Sequence, residues 1–177
     1  KYFFLAAPNK ECVYPEYLPE RIQLSQQRPI NQLREYISSS SILPEDFILY
    51  PLEKLIAAKL SRLTYPKGDT HWTCYGAYLA YRSLARRISL QIDLNIMDES
   101  AIAFEGKYIS GDLSRKIPSN PTSLDYFANH DRHSQCIFDN RVKNTGHLTI
   151  WENERQDLPK AVIFHDSFNT RMLSFWA

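Results

Sequence analysis

Phe47-Ile48-Leu49-Tyr50-Pro51-Leu52-Glu53-Lys54-Leu55-Ile56 is the stretch that decides the fold. Four apolar or aromatic residues in a row are strand-sized. The proline ends the run, and Leu52, Leu55, Ile56, Leu60 and Leu63 then recur at helical spacing. A strand passes directly into a helix, and similar units lie on both sides. Residues 2–7 form an apolar run closed by Pro8-Asn9, which reads as a buried strand ending in a loop. Ala161-Val162-Ile163-Phe164 is a third such run, followed by Met172, Leu173 and Trp176 at helix-compatible spacing over 168–176. Strands that alternate with helices predict a layered α/β fold.

Between these units, Pro29 suits the first turn of a helix carrying Ile30, Leu33 and Ile37, which ends in the serine run 38–41. Pro15 and Pro19 discourage a long helix over 14–20. A longer helix is expected from about Cys74, with Ala77, Tyr78, Tyr81, Leu84, Ala85 and Ile88 on one face and Arg82, Arg86 and Arg87 on the other. Residues 91–160 offer an Ile92-Leu94-Ile96 alternation, a strand near Phe104 and a polar stretch over 118–123, without fixing an order of elements.

The chain has 177 residues, 44% of them hydrophobic and 23% charged, as expected of one globular domain over residues 1–177. Lys and Arg total 21 against 20 Asp and Glu, so a net charge of +1 provides no field to gather nucleic acid, and none is expected as a partner. No apolar run approaches the ~20 residues that cross a bilayer. The chain opens on Lys1-Tyr2-Phe3-Phe4 without an initiator Met or a secretory leader, and it stops inside a helical pattern. It is therefore expected to be incomplete at both ends. Cys12, Cys74 and Cys136 form no CxxC pair, so neither a zinc ribbon nor a disulfide-dense scaffold is indicated, while one disulfide remains open.

Two stretches carry chemistry. In Phe164-His165-Asp166-Ser167-Phe168-Asn169 a serine stands at the turn between an apolar run and a helix. There its hydroxyl is lifted clear, and its own amide belongs to the unpaired N–H set that can hold a developing oxyanion. Asp166 or Ser167 is equally suited to capping that helix. In Asp69-Thr70-His71-Trp72-Thr73 an extended backbone sends residues two apart to one side, so Asp69 can fix the tautomer of His71 and leave the other ring nitrogen free to accept a serine proton. The plainer reading is a loop histidine, with Thr73 as N-cap and Trp72 in the core. His130-Asp131-Arg132-His133 with Cys136 offers a rival, metal-gathering face if helical, although a structural zinc site needs four ligands at a recognisable spacing.

Taken together and in this order, Asp69-Thr70-His71-Trp72, Tyr75-Gly76-Ala77-Tyr78 and His165-Asp166-Ser167-Phe168 resemble the signatures of the AlgX/AlgJ-type SGNH hydrolase-like domain of alginate O-acetylation proteins. Pro8-Asn9-Lys10 with residues 13–19 is similar to that family's opening segment, and Gly111-Asp112-Leu113 resembles a short motif between the two blocks. The resemblance implies a three-layer α/β SGNH hydrolase-like fold with circularly permuted motif order, truncated here. It also implies acetyl transfer to an exported polysaccharide, or the matching esterase activity, through an acetyl-serine. Ser167 would be the nucleophile, His71 the base and Asp69 its orienter. Ser167, Asn169, Asp166 and Tyr75 are the candidates for oxyanion or substrate binding. No metal or organic cofactor is implied, and His165 stands where the family's serine block often has glycine. The setting implied is a bacterial envelope or periplasm, with a membrane-bound acyltransferase as acetyl source. The alternative is a catalytically inactive carbohydrate-binding or scaffold protein of the same fold, favoured by 13% aromatic residues and by His165.

Overall fold

A computed structural model describes every residue except Ser41, Glu45, Arg132, Asn144, Gln156 and Ala177. Strand β1 (Phe4–Leu5) pairs in parallel with β2 (Ile48–Leu49), Phe4 opposite Ile48 and Leu5 opposite Leu49. Parallel pairing needs a crossover connection. Here it runs through helix α1 (Lys10–Val13), a 3₁₀ turn at Pro15–Tyr17 and helix α2 (Pro29–Ser39), which starts on Pro29 as its spacing predicts. Helix α3 (Leu52–Ala58) follows β2 directly. It is shorter than its apolar stripe suggests, because Leu60 and Leu63 fall beyond its last turn.

Helix α4 (Cys74–Ser89) is the spine of the molecule. Thr73 caps it, its side-chain oxygen accepting from the Gly76 amide at 3.1 Å. At Gly76 the helix meets the Thr64 backbone so closely that a Cβ would lie 2.4 Å from the Thr64 carbonyl oxygen, which accounts for a glycine in this first turn. The buried face carries Ala77, Tyr78, Tyr81 and Ala85, and the core gathers Val13, Leu55, Trp72 and Phe175 around it. The Ile92-Leu94-Ile96 alternation falls in an irregular segment. Two tyrosines of α4 hold its end in place of a neighbouring strand: the Tyr78 hydroxyl donates to the Met97 carbonyl and the Met97 amide donates to the Tyr81 hydroxyl, both at 3.1 Å.

Residues beyond this form two antiparallel hairpins. β3 (Ala103–Ile109) runs against β4 (Ser123–Asn129), which packs on α4, and β5 (Ser134–Asp139) runs against β6 (Thr149–Asn153) with a bulge between Cys136 and Phe138. Among the described residues the strands thus make three separate two-stranded sheets within an α/β arrangement.

Two expectations change at the end of the chain. Residues 161–164 are not a strand: no described segment pairs with them, and Val162 and Phe164 are 82% and 94% exposed. An apolar run alone does not make a strand without a partner for its backbone groups. The helix expected over 168–176 is split into a 3₁₀ turn (Ser167–Arg171) and a short helix α5 (Leu173–Trp176). Phe175 packs between Tyr78 and Tyr81, and Trp176 meets Tyr81 edge-on at 4.8 Å, so the segment docks along α4. That docking carries Ser167 towards the start of α4.

Candidate active site

The loop before α4 is fastened on several sides. The Thr73 amide donates to the Thr64 carbonyl at 2.8 Å and its hydroxyl to the Leu63 carbonyl at 2.8 Å, which anchors the exit of the loop. Its entry is gathered by Lys10, whose ammonium donates to the carbonyls of Pro66, Lys67 and Asp69 at 2.6, 2.8 and 2.9 Å. Burial lowers the Lys10 pKa even though the charges of Asp69 and Asp112 oppose the shift. Within the loop, Asp69 Oδ1 accepts from the His71 amide and lies 2.9 Å from His71 Nδ1. A carboxylate only accepts, so this contact keeps the ring proton on Nδ1 and leaves Nε2 as an acceptor.

Ser167 Oγ lies 2.8 Å from that Nε2, across 96 residues of sequence. Three contacts hold the serine turn in place. The Trp72 indole donates to the Phe168 carbonyl at 2.9 Å, and the Phe168 ring sits edge-on to Trp72 at 5.2 Å and 5.1 Å from His71. Farther along, the Arg171 guanidinium makes a two-pronged pair with the fully buried Asp125 of β4 at 2.9 and 2.7 Å. Burial opposes the charge on Arg171, but the hydrogen bonds and charge of Asp125 dominate and raise its pKa.

Asp166 is the cap, accepting from the Phe168 amide at 3.0 Å. Capping and the contact with His71 are therefore divided between neighbours: Asp166 takes the Phe168 amide, and the Ser167 hydroxyl is left to face the imidazole. Asn169 is buried, and its side-chain amide nitrogen has no partner among the described residues. Tyr75, expected near the site, is buried elsewhere. Its ring packs edge-on to Phe104 at 5.3 Å with the Arg62 guanidinium 4.6 Å above it. His165 is exposed beside the turn, its Nδ1 2.7 Å from the Asp166 carbonyl.

Asp112 is the residue that sequence reasoning left without a role. Its carboxylate accepts from the Thr70 amide at 2.7 Å and from the Thr70 hydroxyl, and its own amide donates to Asp69 Oδ2 at 3.3 Å. Burial pushes this carboxyl up, but the Thr70 hydroxyl and amide, the Leu113 amide and His71 outweigh that and hold it below the usual carboxylate value. The only signal for it in sequence was the short Gly111-Asp112-Leu113 motif.

Asp69, His71 and Asp112 offer ligand atoms within 4.8 Å of one another. Yet Nδ1 of the imidazole is engaged by Asp69 and Nε2 by Ser167, the arrangement of a proton relay rather than of an open coordination shell. The rival group at His130 does not assemble. Arg132 lies outside the described residues, as does Ser41 of the expected serine run. His130 follows β4 with its ring stacked on Phe175, and Cys136 sits in β5, so no helical face among the described residues gathers them. Cys12, Cys74 and Cys136 are all free, and burial pushes the Cys74 thiol up, away from the reactive thiolate.

Residues 1–144 match the family described as "SGNH hydrolase-like domain, acetyltransferase AlgX". The chain is 31% identical over 117 residues to the probable alginate O-acetylase AlgJ of Pseudomonas putida, a stretch that is 64% of this chain and 29% of that protein. It thus spans well under half the length of this curated relative. Among solved structures it is similar to the O-acetyltransferase domain of Pseudomonas putida AlgJ, with a TM-score of 0.53 and 26% identity over 73% of this chain and 49% of that one. A DHHW family protein from Eubacterium siraeum shares the fold with a TM-score of 0.69 at 15% identity, over 98% of this chain and 65% of the other.

Proposed function

This chain belongs to the AlgX family of SGNH hydrolase-like domains, and from that membership we propose that it transfers acetyl groups to hydroxyls of an exported polysaccharide. The observation that carries the reading is the run of contacts from Asp69 to His71 to Ser167, at 2.9 and 2.8 Å. A serine hydroxyl is a weak nucleophile until a base is adjacent, and these are hydrogen-bond distances.

The proposed reaction has two halves. Ser167 Oγ attacks the acetyl carbonyl of the donor while its proton passes to His71 Nε2, and Asp69 stabilises the imidazolium. The oxyanion that forms accepts from the Ser167 amide, with the Asn169 side-chain amide as the second candidate donor. The intermediate collapses, the bond to the donor oxygen breaks, and that oxygen leaves with the proton from Nε2. Acetyl-Ser167 remains. A sugar hydroxyl then attacks the acetyl carbon and gives its proton to His71. Collapse of the second intermediate releases the sugar acetate, and the proton returns to Ser167 Oγ. Water in place of the sugar yields acetate, so the same residues serve an esterase.

The family also suggests an envelope or periplasmic setting, with a membrane-bound acyltransferase as the acetyl source. No described helix is long and apolar enough to cross a membrane. The test uses full-length protein, an aryl acetate donor and an oligosaccharide acceptor. Wild type is expected to release the phenol and to show acetyl-Ser167 by mass spectrometry. Ser167→Ala and His71→Ala are expected to fall by about 10⁴ or more. Equal rates in all three, with glycan binding retained, would replace the enzyme reading by the carbohydrate-binding one.

A further inference from the structure

We propose that Asp112 is a positioning residue for His71, acting through the turn Gly111-Asp112-Leu113, which grips the Asp69–His71 loop; the inference rests on the acyl-transfer reading of this site.

The grip starts with close backbone approach. A Cβ at Gly111 would lie 2.3 Å from the Gly68 carbonyl oxygen and 2.7 Å from Asp69 Cβ, so only glycine lets the turn lie flat against the loop. The amides of Leu113 and Ser114 both donate to that Gly68 carbonyl at 3.0 Å. The Asp112 amide reaches Asp69 Oδ2, the oxygen the imidazole does not use, so both oxygens of Asp69 are engaged and its plane is set. Finally the Asp112 carboxylate takes the amide and the hydroxyl of Thr70, the residue between Asp69 and His71. Asp112 Oδ2 lies 3.9 Å from His71 Nδ1, beyond hydrogen-bond range, so Asp112 acts on the ring through Thr70 and Asp69 and not by a bond of its own.

Each bond fixes an orientation that the relay needs. A misplacement of about 1 Å in a reacting group is enough for a hundredfold loss of rate. Asp112→Ala removes both acceptors of Thr70, whereas Asp112→Asn keeps an oxygen for the Thr70 amide and a side-chain N–H for the hydroxyl. In full-length protein, Asp112→Ala is expected to lower kcat by about tenfold to a hundredfold with little change in KM, and Asp112→Asn is expected to restore most of that loss. The second readout is the His71 Nδ1 proton, seen by NMR as a downfield resonance while its bond to Asp69 protects it. It should be retained in Asp112→Asn and broadened or lost in Asp112→Ala.

An unchanged kcat and an unchanged Nδ1 resonance in Asp112→Ala would overturn the proposal. So would an Asp112→Asn protein as impaired as a folded Asp112→Ala, since that outcome assigns the effect to charge. If Asp112→Ala does not fold, Thr70→Val decides, because it removes the hydroxyl from the other side of the same contact and is expected to weaken the Nδ1 resonance. Should wild type transfer no acetyl group and Ser167→Ala change nothing, the acyl-transfer reading falls. The Nδ1 resonance still tests Asp112 in that case.

Discussion

The loop that bears Asp69 and His71 and the segment that bears Ser167 are held in opposite ways. The loop is held at several points, by the three carbonyls on Lys10 and by the Gly111-Asp112-Leu113 turn, and Thr73 locks its exit into α4. The serine segment arrives through residues 161–165, all exposed and without a paired strand, and is fixed by a few contacts on its far side: the Trp72 indole, the Arg171–Asp125 pair and the rings of α5. Asp69 and His71 are built into the body of the fold, while Ser167 is docked onto it. Loss of one tether in the loop leaves others. Loss of one tether at the serine removes a large share of what holds it.

That contrast is most open to attack at Arg171→Ala. It leaves the Asp125 carboxylate, 0% exposed, without its partner, and breaking a buried pair in this way destabilises by about 3–5 kcal/mol. The expected result is a large drop in the denaturation midpoint together with loss of the proposed acetyl transfer. A normal midpoint would show that the serine segment is held by something else. Trp72→Phe is next. It keeps the aromatic body but strands the Phe168 carbonyl, with an expected loss of about 1–3 kcal/mol. Transfer should fall more than stability, because the bond lies between the two halves of the site. Equal protection of the Ser167 and His71 amides from hydrogen exchange in the wild type would blur the contrast, since the serine turn is expected to exchange faster.

The smallest effect is a pH dependence on the loop side. The folded-state pKa of Asp112 lies below its ordinary value of 3.8, so the unfolded chain binds this proton more readily. The resulting stability is complete above the ordinary carboxylate range and is lost as pH falls through the lowered value. In acid denaturation below about pH 4, Asp112→Asn should flatten the loss of stability relative to wild type. Parallel curves would remove Asp112 from the account of the clamp's strength.

Much of this was legible in the chain because the signals are local. Leu52, Leu55 and Ile56 mark α3, Thr73 caps α4 where its side chain said it would, and the two-residue spacing of Asp69 and His71 foretold a shared side. What was not legible joins distant positions. Asp112 meets Thr70 across 42 residues, Arg171 meets Asp125 across 46, and Lys10 reaches carbonyls 56 to 59 residues away. No periodicity encodes such pairs. The strand expected near Phe104 is β3, but its pairing with β4 was not legible, because register joins positions far apart in sequence. The hairpin β5–β6 was missed because its strands are mostly exposed and lack the clean alternation that marks a half-buried sheet. Tyr75 misled in the other direction: adjacency to the Asp69–Trp72 block suggested the site, but one turn of helix sends its ring into the aromatic packing beneath Arg62.

The 96 residues between His71 and Ser167 set an order of events during synthesis. At ribosomal rates of about 5–20 residues per second, the imidazole emerges roughly 5–20 s before the alcohol it is to face. Throughout that interval the Trp72 indole has no Phe168 carbonyl to meet, and Asp125, once made, waits a further 46 residues for its guanidinium. The nascent chain therefore carries a half-finished seam along α4, open to chaperones or to wrong partners, until the Ser167 segment threads in and closes it.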